Sequence, residues 1–331
     1  MKHSPSERIK QYMLLLCASA LSIILGIGTY RIVIRAYRQR AIRVTPIGKQ
    51  HLDYPQNSQF TNFFELTPGE TIREKPDFIP STVTYTITPQ GFNGDRTYPV
   101  PKPADTYRIV ALGDSYTFGL YVNTNQSYPF LLEELLNERA CTGVGHMDVV
   151  NMGVMGYDIG YAAEHYIRKG VELEPDMVIW LMSWFNFYQM RDINITREKE
   201  ISTAMSTAER AKNIAEGNYY AAGYRAMQET NDRYGTDQIL ALQETYLKRF
   251  ADSYHGKLVI ALFNDTNDSA IDALLERFAA ARPNTFIYRA LPPIRTMEGV
   301  WPDGHPNPMG HRLVAGSLFG YLVSEKLIPC R

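Results

Sequence analysis

From position 107 onward, five short apolar runs recur, and stretches with helical spacing separate them. The runs are YRIVAL (107–112), MDVVN (147–151), DMVIWLM (176–182), KLVIALF (257–263) and TFIYRA (285–290). Near-continuous apolar runs of this length suit strands buried on both faces, which is the habit of parallel sheets. Helical patterns at 127–140, 158–171, 268–281 and 308–327 lie between and after them. Alternation of this kind predicts an α/β fold: a flavodoxin-like, doubly wound five-stranded parallel sheet, with right-handed crossovers deciding which face each helix covers. One interval is too long for a simple crossover. Residues 187–256 are rich in Glu, Ala, Lys and Tyr without a strong strand. They are expected to form two or three helices inserted after the third strand, either as packing or as a lid.

The first 106 residues do not share this rhythm. Tyr12 to Tyr30 (YMLLLCASALSIILGIGTY) carries no charge, and at ~1.5 Å per residue it is long enough to span roughly the hydrocarbon core of a bilayer. Residues 1–43 are therefore expected to be an N-terminal anchor with one transmembrane helix at about 12–30. Arg31 and Arg35 follow directly where a cleavable signal peptide would need small residues. Cys17 is preceded by Leu16, unlike a lipoprotein signal. Arginines after the segment outnumber basic residues before it, which by the positive-inside rule favours a cytoplasmic body, but long domains translocate despite such charge. Residues 44–105 hold turn formers and alternating pieces such as STVTYTIT (81–88), and read as a stalk with a small β-rich lead-in ending near Pro103. The formal net charge of -1 conceals an uneven distribution: basic residues concentrate in the first 43 positions and the remainder is mildly acidic. That balance argues against nucleic acid as a partner. There is no Walker sequence and no zinc-type Cys/His spacing, so no metal or cofactor is expected.

Chemistry concentrates where the first apolar run stops, at Gly113-Asp114-Ser115. A serine at the carboxyl end of a buried strand, just before a helix, stands where open α/β sheets place their reactive groups. It is equally the place for a helix cap. A serine hydroxyl needs a base to become a nucleophile. Of seven histidines, His3 and His51 lie outside the expected fold, His146 and His255 precede strands, and His165 and His311 belong to helices. Only His305 has an acid close by in a loop of the sheet domain, Asp303 in WPDGHPNPMGH. Residues two apart in extended backbone point to one side. Asp303 would then hold one imidazole nitrogen and leave the other free toward Ser115.

LGDSYTFG (112–119), VVNMGVMGYD (149–158) and DGHPNPMGH (303–311) resemble the first, second and last sequence blocks of the SGNH (GDSL) hydrolases, and the resemblance covers most of residues 107–327. It implies an esterase or acyltransferase with Ser115 as nucleophile, His305 as base and Asp303 as orienter. It also implies an oxyanion hole made by the Ser115 N–H, the Gly156 N–H and the Asn186 side chain. The third block is loose: its Gly-x-Asn-Asp pattern falls on Trp184-Phe185-Asn186-Phe187, keeping only the asparagine, and Asp-x-His replaces the family's commoner Asp-x-x-His.

The expected function is hydrolysis of acyl esters, O-acetyl among them, on an envelope glycan or small ester. The alternatives are an O-acyltransferase on an envelope polysaccharide, and a catalytically silent glycan-binding module that stacks sugars on Tyr219, Tyr220 and Tyr224. The oligomeric state is not legible. With strand order 2-1-3-4-5, the first and last helices of the sheet domain lie side by side and parallel, which brings Cys141 and Cys330 together as an expected disulfide. Such a bond would place the body in an oxidising compartment outside the cytoplasm.

Overall fold

The computed structural model describes residues 60–139, 144–263 and 267–330. Strands β1 (Thr71–Glu74) and β2 (Val83–Thr86) form a small antiparallel pair. The remaining strands are β3 (Thr106–Gly113), β4 (His146–Gly153), β5 (Met177–Met182), β6 (Lys257–Leu262) and β7 (Thr285–Tyr288). They form one parallel sheet in the order β4-β3-β5-β6-β7. In order of appearance this is 2-1-3-4-5, as the apolar runs predict, although the last strand stops at Tyr288, two residues short of the expected end.

Period-two geometry sorts the strand side chains onto two faces. Val110, Leu112, Val150, Met152, Val178, Trp180, Leu258 and Ile260 join one buried cluster; Ile109, Ala111, Val149, Ile179, Leu181, Val259 and Ala261 join the other. The helices Tyr128–Asn137 and Pro308–Ser324 cover the second face and pack against each other. The helices Ile159–His165 and Ser269–Ala281 cover the first. The lead-in shares that first face: Phe60, Phe63, Tyr85, Phe92 and Tyr98 are part of its cluster. Arg108, fully buried on β3, fastens it by donating to Asp148 Oδ2 (3.0 Å) and to the carbonyls of Pro99 and Leu173.

The region expected to be a helical insert holds four helices: Arg191–Ala204, Thr207–Ala215, Ala221–Tyr234 and Thr236–Ser253. The fourth is not part of an insertion. Its stripe Ile239, Leu240, Gln243, Leu247 and Phe250 is buried, with Leu240, Leu247 and Phe250 in the first-face cluster, so it is the crossover that returns the chain from β5 to β6. The true insertion is residues 191–234.

Among the described residues no helix is long and apolar enough to cross a membrane, and the expected anchor at 12–30 lies outside them. Cys330 is disulfide-bonded; Cys141 also lies outside the described residues.

Candidate active site

Three strands end on the same edge of the sheet, and the groups singled out from the sequence collect there. β3 delivers Asp114 and Ser115 into a single helical turn, Ser115–Phe118. The turn sits tightly on β4. A Cβ at Gly153 would lie 2.2 Å from the Phe118 nitrogen, a contact that only glycine avoids. The cap of this turn is Asp114, whose carboxylate accepts the Tyr116 N–H at 2.8 Å. Ser115 is thereby relieved of capping.

Its hydroxyl lies 2.8 Å from His305 Nε2. On the far side of the ring, His305 Nδ1 is 2.8 Å from Asp303 Oδ2, and the His305 N–H donates to Asp303 Oδ1 at 3.2 Å. The Asp303 side chain is fully buried. Burial pushes its carboxyl up, but hydrogen bonds from His305, the attraction of the imidazole and a hydrogen bond from Tyr220 outweigh that and hold it below its usual range. An ionised Asp303 only accepts, so Nδ1 carries the ring proton and Nε2 is left to accept from Ser115. The Asp303–His305 segment is itself held rigidly. Trp301 N–H donates to the His305 carbonyl, Gly304 N–H to the Trp301 carbonyl, and Asn307 caps the final helix by accepting from Met309 and Gly310. Tyr116 donates to the Gly304 carbonyl at 3.2 Å, joining this loop to the serine turn.

The oxyanion expectations divide. The N–H groups of Ser115 and Gly156 have no partner among the described residues. Gly156 adopts φ of +76°, and the Arg191 guanidinium packs over it. Asn186 is buried at the same edge, but both of its amide hydrogens are engaged, one with Asp114 Oδ2 (2.9 Å) and one with the Tyr157 carbonyl (3.1 Å). Its oxygen accepts from the Ser183 N–H at 2.7 Å. The expected free donor is thus a clamp between the residue before Ser115 and the residue after Gly156. The physical reason is Asp114: burial drives this carboxyl above its usual range, the Tyr116 N–H and the Asn186 amide only partly offset it, and a carboxyl so enclosed draws in any available donor.

Several contacts had no local signal in the sequence. The edge of the His305 ring is boxed by Tyr116, Tyr121 and Tyr220, with centroids at 5.2, 5.5 and 5.7 Å. Tyr220, from the insertion, reaches Asp303. Of the three tyrosines expected to stack sugars, Tyr219 instead meets the ring of Phe78, while Tyr224 is 41% exposed and lies nearly parallel to Trp184 at 6.5 Å.

No family model and no curated protein matches the chain. Solved structures do. A two-domain esterase active on acetylated mannans, co-crystallised with mannopentaose, is 17% identical over 69% of this chain and 52% of its own, with a TM-score of 0.40. The chain therefore spans about half the length of that esterase. A family 3 carbohydrate esterase of Clostridium thermocellum is 14% identical over 66% of this chain and 96% of its own (TM-score 0.40). A lipase/acylhydrolase from Enterococcus faecalis is 14% identical over the same two shares (TM-score 0.38). At this distance the chemistry has to be read from the residues themselves.

Proposed function

We propose that this chain is a serine hydrolase that cleaves ester bonds through an acyl-enzyme. The observation that carries the reading is the unbroken relay from Ser115 Oγ through His305 to a buried, ionised Asp303, at 2.8 Å on either side of the imidazole. His305 Nε2 takes the hydroxyl proton as Ser115 Oγ adds to the ester carbonyl. The carbonyl oxygen becomes an oxyanion facing the Ser115 and Gly156 N–H groups. Collapse breaks the ester C–O bond, and the departing alcohol oxygen takes the proton from the imidazolium. Water then repeats the sequence in reverse roles and frees the acid. Each oxyanion donor of this kind typically contributes ~10²–10³ in rate.

The finer proposal is that the ester sits on a glycan of the cell envelope, O-acetyl being the simplest acyl group. The exposed Tyr224 ring beside Trp184 and Phe185, two residues and one residue before Asn186, supports a sugar-stacking wall. Anchoring through residues 12–30 with the body outside the cytoplasm belongs to the same proposal, supported by the disulfide at Cys330.

The test is labelling with a fluorophosphonate, followed by acetate release from an acetylated oligosaccharide with and without an unacetylated acceptor. The wild type should be labelled and release acetate, and Ser115→Ala should do neither. An unlabelled, inactive wild type would favour the silent glycan-binding module, and acetyl transfer to the acceptor in preference to water would favour the acyltransferase.

A further inference from the structure

Tyr220 belongs to the insertion, immediately before the helix Ala221–Tyr234, yet its hydroxyl lies 2.7 Å from Asp303 Oδ2 and 3.3 Å from His305 Nδ1. A phenol has one hydrogen to give. An ionised Asp303 can only accept, so that hydrogen goes to the carboxylate. The hydroxyl of Tyr121, 3.2 Å from that of Tyr220, must then donate to it. Tyr121 is fixed in turn by its own backbone N–H, which donates to the Tyr85 hydroxyl, and Tyr85 donates to the buried Glu74. A line of hydrogen bonds thus runs from the lead-in through Tyr121 to the insertion and ends on the acid of the relay.

We infer that Tyr220 is a positioning residue for Asp303, through which the insertion completes the relay. The inference rests on the hydrolase reading above. With Asp303 two residues from His305, one carboxylate oxygen accepts the His305 backbone N–H and the other faces Nδ1. The Tyr220 hydroxyl is the further donor that fixes the rotation of this short-spaced carboxylate. It also stabilises the anion, so the carboxylate draws less strongly on the imidazole proton. Loss of the hydroxyl should raise the proton affinity of the pair. The other ionisable groups around the pair are Glu74, Asp114 and His311, with Tyr116 and Tyr121 against the ring. The Arg295 guanidinium flanks Gly304 between the two residues.

The test compares wild type, Tyr220→Phe, Tyr121→Phe and, as a control on the same helix, Tyr234→Phe. Each is assayed for melting temperature, kcat and KM on a small acetyl ester, and the pH profile of kcat/KM. Phenylalanine keeps the ring against His305 and removes only the hydroxyl. In Tyr220→Phe, kcat should fall about tenfold with KM little changed, and the acid limb of kcat/KM should move to higher pH. Tyr121→Phe should show the same changes at smaller size, and Tyr234→Phe none. A folded Tyr220→Phe with wild-type kcat and an unmoved limb overturns the inference, as does a loss that merely follows a lowered melting temperature. An inert, unlabelled wild type overturns the hydrolase reading instead, and this inference with it.

Discussion

The loops at the carboxyl edge of the sheet and the helices of residues 191–234 meet at Asp303, yet they are held in place by different means. The edge loops are fixed from within. The serine turn rests on Gly153 without room for a methyl group, Asn186 ties it to the Gly156 loop, and Asn307 anchors the segment bearing Asp303 and His305 to the final helix. The insertion is fixed at its base, where Asp192 accepts from the Thr61 and Asn62 N–H groups and from the Tyr161 hydroxyl. Farther out it is laced by exposed ion pairs such as Arg197 with Glu200 and Glu229, and the helix Thr207–Ala215 buries no residue. Regions with few buried apolar contacts open at lower free energy than cores. The difference teaches a division of labour: the proposed reacting groups sit on the tightly packed part, and Tyr220, the proposed positioning residue, sits on the loosely packed one.

The sharpest break in this comparison is Asp303→Asn, which keeps the shape of the rigid edge and reverses the hydrogen-bond logic. An amide facing Nδ1 favours the wrong tautomer, and turnover should fall by roughly 10³–10⁴, read as kcat on an acetyl ester with the melting temperature taken in parallel. A near-normal rate would mean that the relay does not depend on this acid. Next comes Gly153→Ala, aimed at the rigidity itself. The added Cβ meets the serine turn at 2.2 Å, and overpacking of this kind costs about 1–3 kcal/mol, measurable as a lowered denaturant midpoint together with slower fluorophosphonate labelling. An unchanged midpoint would show that the edge yields. The smallest effect belongs to the insertion's surface. Arg197→Ala removes two exposed ion pairs, and the melting temperature should stay where it is at low and at high salt. A drop of several degrees would mean that the outer helices are held more firmly than their burial suggests.

The parts legible in the sequence follow from strong local rules. β5 and β6 fall inside their apolar runs, and β3 overruns its own by one residue at each end, because strands buried on both faces are mostly apolar. The Asp303–His305 pair was visible because both residues lie in one short loop. The crossover helix Thr236–Ser253 was absorbed into the insertion because its polar face continues the Glu-rich composition before it. Only the apolar stripe, read by itself, separates the two. Asn186 stands at the expected edge, but its amide contacts to Asp114 and to the Tyr157 carbonyl were not legible, since a motif names a residue without counting the acceptors around it. Tyr220 lies 83 residues from Asp303. No periodicity connects positions so far apart, and its neighbours Tyr219 and Tyr224 made it look like part of a sugar platform.

The close seating of the serine turn on Gly153 also bears on how acylation must unfold. With the Phe118 nitrogen already in the space a side chain at 153 would need, the turn that carries Ser115 has no room to move toward β4 when a bulky ester arrives. Under the esterase proposal, accommodation would therefore fall on the incoming ester and on the side chains around the serine turn rather than on the turn itself.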